Sequence, residues 1–261
     1  EFDLSTKDSE ILGVQSPANF TVTYYLTQQD AVASINALDK TDYTNTSAFA
    51  QTLYARVSNN NNSLCYETTT LDVKVYKTPI LNEVLDWHVC DTDNDGIFSF
   101  NLNQKNSEII GSQFATEFGV RYFENEVDAM SGTNAIFGNW NNVTKQQQVF
   151  YRLENKLNSN CYLTDSFSVK VHNSPSANTS TPLVACDVNK TGAYTFDLSV
   201  KDIEVLGIQS PSEYVISYFS NETNAIANQN ELNKTAHTNQ QATETIYARI
   251  ANVNFESCYA I

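Results

Sequence analysis

One segment recurs three times and limits what the chain can become. FDLSTKDSEILGVQ at residues 2–15 returns as FNLNQKNSEIIGSQ at 100–113 and as FDLSVKDIEVLGIQ at 196–209. Repetition at a spacing of 98 and then 96 residues is the mark of a tandem array, in which each unit carries its own core. A chain of 261 residues therefore divides into units of the size of a small domain. The rest of each unit keeps the same phase. Phe20–Tyr25, Phe118–Phe123 and Tyr214–Phe219 correspond, as do Leu53-Tyr54-Ala55-Arg56, Val149-Phe150-Tyr151-Arg152 and Ile246-Tyr247-Ala248-Arg249. A Cys-Tyr pair closes each copy, at Cys65-Tyr66, Cys161-Tyr162 and Cys258-Tyr259.

Apolar residues alternate with polar ones through these blocks, as in Phe98/Phe100/Leu102, Leu71/Val73/Val75 and Phe167/Val169/Val171. A period of two in aromatic and β-branched residues predicts half-buried strands. Helix signals interrupt them: Ser5-Thr6-Lys7-Asp8 reads as a capping box with Gly13 as a stop, and Thr27-x-x-Asp30 opens a second short helix over 30–38. The expected fold is mainly β, with tandem immunoglobulin-like β-sandwich repeats and short helical insertions. Prolines at 79 and 175 place semi-rigid linkers there, giving repeats over 1–79, 80–175 and 176–261. The first is expected to lack its opening segment and the third its end.

Five cysteines stand in phase with the repeat. Cys90 and Cys186 precede a first strand, and Cys65, Cys161 and Cys258 open a last one, which implies bridges and an oxidising, extracellular compartment. Bridges within units (Cys90–Cys161, Cys186–Cys258, leaving Cys65 unpaired) and bridges between units (Cys65–Cys90, Cys161–Cys186) both fit the spacing. In a seven-strand sandwich the first and last strands start at the same end, which favours bridges within units.

The loop CDTDNDG sets Asp91, Asp93 and Asp95 on alternate positions before Gly96, the first half of an EF-hand-type loop for Ca2+. Position twelve is Leu102, not the bidentate Glu such a loop needs, and the competing reading is an Asx-type turn into a strand. The third copy offers Asp187, Asn189 and Thr191, a weaker set with Lys190 among them. His88, His172 and His237 are far apart in sequence, and no spacing suggests a zinc site or a catalytic triad; the chain is read as non-enzymatic. Thirty acidic against fifteen basic residues, a net charge of −15, repel nucleic acid and anionic membrane surfaces. No apolar run is long enough for direct membrane insertion. Trp140, within GTNAIFGNWNNV, is the candidate for a ligand-binding face that would stack on a glycan or contact a surface protein.

The order Cys-Asp-x-(Asp/Asn)-x-x-Gly-x-(Phe/Tyr)-x-Phe, then Glu-(Ile/Val)-(Ile/Leu)-Gly, then aromatic-x-Arg and Cys-Tyr, resembles tandem repeats of large cell-surface adhesins of gliding Bacteroidota. The resemblance implies export by the type IX secretion system, a place at the cell surface, and partnership with secretion and surface-anchoring machinery. It implies a non-enzymatic stalk whose main partners are neighbouring repeats of the same chain, with a glycan- or protein-binding recognition module as the alternative.

Overall fold

A computed structural model of the protein describes residues 1–188 and 190–261. The fold is mainly β with short helices, as the periodicity predicts. Two compact units form, residues 1–78 with 157–161, and residues 79–156 with 162–261.

In the first repeat, α1 (Asp8–Leu12) and α2 (Gln28–Ala33) flank β1 (Phe20–Tyr25), which pairs antiparallel with β2 (Ala50–Asn59), itself paired with β3 (Asn62–Lys74). The second repeat shows the unit in full. Its strands are β4 (Trp87–Asp91), β5 (Ser99–Phe100), β6 (Phe118–Phe123), β7 (Trp140–Asn141), β8 (Gln146–Asn155) and β9 (Asn158–Asn173), with helices α3 (Asn106–Ile110) and α4 (Glu126–Ser131). One sheet has the order β4-β9-β8-β6 and the facing pair is β5-β7. Phe100 and Trp140 from the pair close on Val149, Tyr151, Leu153, Phe167 and Val169 from the sheet, all buried. The third repeat contains β10 (Thr195–Phe196), α5 (Asp202–Leu206), β11 (Tyr214–Phe219), α6 (Glu222–Ala227), β12 (His237–Thr238), β13 (Tyr247–Asn252) and β14 (Phe255–Ala260). Its sheets are β11-β13-β14 and β10-β12.

The helix signals act nearly where the sequence puts them. Thr27, Asn125 and Asn221 each accept the backbone N–H three residues on, capping α2, α4 and α6. The second short helix is displaced from the expected 30–38, because Ser34 takes the left-handed conformation and ends it. The expected capping box at Ser5 is instead a 3-10 turn over Leu4–Lys7 capped by the Asp3 side chain. Gly111 and Gly207 have positive φ, and a Cβ at either would lie 2.6 Å from the side chain of Asn82 or Asn178. Those asparagines donate to the carbonyls of Ile109 and Val205, so each glycine is where a linker crosses its helix.

The same linkers are fastened at two more points. Gln113 accepts from Ile80 N–H and donates to its carbonyl, and Gln209 does the same with Ser176. Glu108 accepts from the N–H of Leu85, and Glu204 from that of Thr181. Hydrogen bonds from Lys201 and Thr181 hold the Glu204 carboxyl at about 2. The recurrent Glu-x-x-Gly-x-Gln is therefore a linker clamp.

The recurrent arginine has an equally local cause. Arg56, Arg152 and Arg249 are buried. Arg56 donates to the carbonyls of Ala31 and Val32 at the end of α2, and Arg152 to Met130 at the end of α4. The tyrosine of each Cys-Tyr pair lies on the guanidinium, 3.5 Å away for Tyr66, 3.3 Å for Tyr162 and 4.3 Å for Tyr259. Replacing the fork orphans the carbonyls at the end of α4 and takes from Glu154 one of its two arginine partners, Arg152 at 2.7 Å, leaving Arg121. Arg152→Met is expected to cost about 3 kcal/mol in denaturant unfolding. Arg152→Lys should recover little of it, because an ammonium lacks the planar fork.

Candidate functional site

Side chains of β9 alternate, so Phe167, Val169 and Val171 enter the core while Lys170 and His172 point the other way. β4 runs parallel to β9, with His88 opposite Lys170 and Cys90 opposite His172. His88, Cys90 and His172 thus share the outward face of the second repeat. The hairpin joining β13 to β14 in the third repeat lies against that face. Cys258 on β14 forms a disulfide with Cys90, with Cα atoms 5.3 Å apart. Phe255 packs on both imidazoles, at 5.0 Å from His88 and 5.1 Å from His172. The two rings stack on each other and are joined Nδ1 to Nε2 at 2.9 Å. Asn252 adds a hydrogen bond to the Asn173 carbonyl.

This bond corrects the expected pairing. Cys90 does not join Cys161, and Cys186 does not join Cys258; Cys65, Cys161 and Cys186 are free thiols. The physical reason is the parallel register. Cys90 sits beside residue 172, eleven residues past Cys161, which is roughly 36 Å along a strand rising about 3.3 Å per residue. A disulfide needs Cα atoms within about 7 Å. The partners are instead the first cysteine of one repeat and the second cysteine of the next. Cys161 lies in the other compact unit, with its Sγ 3.9 Å from the Tyr76 carbonyl.

The acidic loop adjoins the joint. Asp91, Asp93 and Asp95 bring carboxylate oxygens within 4.8 Å of one another. Asp91 is buried and accepts from the N–H groups of Asn94 (3.0 Å) and Gly96 (2.6 Å). Burial works against its charge, but these N–H donors and the Asp93 side chain hold its carboxyl below the usual range. Asp93 is pushed up by sharing a hydrogen bond with Asp91 and by the Asp95 charge. Asn94 and Gly96 take positive φ, and so do Lys190 and Gly192 in the third repeat. There Gly192 N–H donates to Asp187 in the same way, while the expected ligand Asn189 lies outside the described residues and Thr191 Oγ1 bonds Ala193. The turn thus forms with three carboxylates or with one. Asn94 also exchanges two hydrogen bonds with Ser174, fixing the start of the second linker.

Trp140 is no stacking face. It is buried, donates from Nε1 to Glu124, and its ring lies 6.0 Å from that of Phe100 in the core. The sequence reading missed the histidine pair because 84 residues separate its members; the only signal available was that each histidine precedes or follows a linker. His237 is likewise paired, with Glu244. No helix among the described residues is long and apolar enough to cross a membrane.

Fold and joint define a class: tandem β-sandwich repeats cross-linked from one domain to the next. The chain belongs to the Flavobacterium inter-domain disulphide bond domain family, whose model matches residues 1–79, 86–175 and 182–261. Such a domain implies an extracellular protein. No curated protein matches. Among solved structures, the human desmocollin-1 ectodomain is similar at 12% identity with a TM-score of 0.23, over 92% of this chain and 50% of that one. The chain thus spans about half the length of that ectodomain.

Titration of His172 has a defined sign. Burial, the charge on His88 and the neighbouring Lys170 hold His172 below its ordinary value. Lys170 is itself paired with Asp86 at 2.7 Å. A ring whose folded value is depressed protonates more readily in the unfolded chain, so its stabilisation is present above about pH 6.5 and is lost as the pH falls. The thermal midpoint of the oxidised protein should drop between about pH 7.5 and 5.5. In His172→Gln the drop should be smaller, as measured by calorimetry.

Proposed function

We propose that this chain is a non-enzymatic structural segment of a secreted cell-surface protein, a stalk whose repeats are chained covalently from each to the next. The observation that carries the reading is the Cys90–Cys258 bond between the second and third repeats. Cys161 supports extending the pattern. Tyr76, whose carbonyl it approaches, is the counterpart of His172, the residue that faces Cys90 across the sheet. A cysteine on a strand beside Tyr76 would meet Cys161 as Cys90 meets Cys258, and Cys186, exposed and free, is the counterpart of Cys90 in the third repeat. On this reading the surface adhesin is exported by the type IX system, in keeping with a family named from Flavobacterium. Its partners are flanking repeats and anchoring machinery. With Trp140 in the core, the recognition-module alternative loses the residue that motivated it.

A load-bearing role is tested by pulling on the chain ends. The bond encloses a sequence separation of 168 residues. Reductant should therefore release roughly 590 Å of extra contour, at about 3.5 Å per residue. A Cys90–Cys161 bond would release only roughly 250 Å on the same basis. An unfolding length indifferent to reductant would remove the covalent basis of the reading.

Within the same reading, the Asp91, Asp93 and Asp95 carboxylates are proposed to take Ca2+ and stiffen the exit of the second repeat; their mutual proximity supports this. Calorimetry in calcium should raise the midpoint relative to chelator, and Asp93→Asn should abolish the difference. Superimposable curves would leave the loop as a turn alone.

A further inference from the structure

Apart from the acidic loop, the side chains best suited to hold a metal are the two imidazoles at the joint. His88 and His172 stand on adjacent parallel strands, offset by two residues in register, and both turn away from the core. Their facing nitrogens, Nδ1 of His88 and Nε2 of His172, lie 2.9 Å apart. The rings are within 10° of parallel, and Phe255 of the third repeat packs on both. Among the described residues, the outer nitrogens, His88 Nε2 and His172 Nδ1, bond no protein group and are not sealed from water. The pair is peculiar to the second repeat, since Tyr76 takes the place of His172 in the first and Val184 that of His88 in the third. Neutral imidazoles suit borderline transition metals, whereas Ca2+ takes oxygens. Spacing narrows the choice. Two nitrogens held at right angles, each about 2.0 Å from a metal, lie about 2.8 Å apart, while tetrahedral binding separates them by about 3.3 Å. The observed 2.9 Å fits adjacent corners of a square-planar or tetragonal ion.

We propose that His88 and His172 form a bidentate site for a divalent transition metal of tetragonal preference, Cu2+ above Ni2+, with water completing the coordination. The order of the two ions is that of their general affinity for nitrogen ligands. In the metal-free pair one facing nitrogen donates its proton to the other. Binding moves that proton to the outer nitrogen of the same ring, so that two lone pairs face the metal. No electron is transferred and no net proton is released. The rings adjust by rotation about their Cβ–Cγ bonds, which are soft torsions. The Lys170 ammonium acts on His172 and opposes a second cation, but it is paired at 2.7 Å with Asp86, whose carboxylate also feels His88. Cys90 and Cys258 are bonded to each other and supply no thiolate in the oxidised protein. Because Phe255 rests on both rings, the ion fixes the platform that the third repeat packs on. The inference does not depend on the stalk reading, since the two nitrogens converge whatever the chain supports.

The test uses the whole oxidised chain with Cys65, Cys161 and Cys186 alkylated, so that Cu2+ meets no free thiol. Cu2+ should bind in a one-to-one complex whose electron paramagnetic resonance spectrum shows hyperfine splitting from two imidazole nitrogens. His88→Gln and His172→Gln should each weaken binding at least about tenfold, because one remaining ring loses the advantage of two ligands held together. Excess Ca2+ should leave the copper in place, which separates this site from the acidic loop. The spectrum of the unsubstituted chain decides the matter even where a glutamine variant fails to fold. A spectrum with one nitrogen ligand or none, unchanged affinity in both glutamine variants, or displacement by Ca2+ overturns the proposal. So does the absence of a stoichiometric complex.

Discussion

The parallel register of β4 on β9 is the constraint from which the rest follows. Pairing Cys90 with residue 172 carries the first cysteine of a repeat to the end where the chain leaves it. Had β4 run antiparallel to β9, the cysteine would have met the start of that strand and a bridge within the repeat would have been within reach. In parallel, the thiol faces outward at the exit, and the group that comes to it belongs to the next repeat. The tight turn at Val253-Asn254 brings Phe255 and Cys258 back to that surface on one hairpin. Packing of Phe255 on the two imidazoles and closure of the disulfide are therefore two consequences of one strand direction.

Covalent closure also explains why the linkers are not simple tethers. Each is bonded at three points to the helix of the repeat it enters, through Asn82, Gln113 and Glu108 in one case and Asn178, Gln209 and Glu204 in the other. Each such bond contributes on the order of 1 kcal/mol net, so a single one would flicker and three acting together fix a path. Asn94 and the Asp91 turn hold the same linker from its other end at Ser174. A linker fixed at both ends presents the hairpin of the following repeat at a defined place, which lowers the entropy lost on forming the bond.

Periodicity made the strands legible, and the recurrent glycines, glutamates and arginines pointed to structure because they recurred in phase. Their roles became clear only when the partners were seen: Gly111 because Asn82 crosses it, Arg152 because Tyr162 covers it and the end of α4 needs a donor. Chemistry that depends on strand direction stayed hidden. Alternation along β9 reads the same whether β4 is parallel or antiparallel, so the sequence gives the faces of Cys90 and Cys161 but not which of them approach. The histidine pair was invisible for the same reason. Trp140 misled because its Asn-rich surroundings resemble an exposed loop, whereas the two-residue strand β7 turns its ring into the core.

Among the described residues, the contact between the second and third repeats includes an aromatic ring on two imidazoles, a side-chain hydrogen bond and a disulfide. Burial of a single phenyl ring contributes about 2 to 3 kcal/mol, too little to dock two domains firmly. Enlarging an apolar interface would strengthen it, but would expose that surface wherever a repeat is not yet docked, inviting mispairing among near-identical units. A disulfide avoids this conflict, since its strength does not depend on the area around it. The small histidine and phenylalanine contact lies beside the two thiols, and the covalent bond joins the repeats.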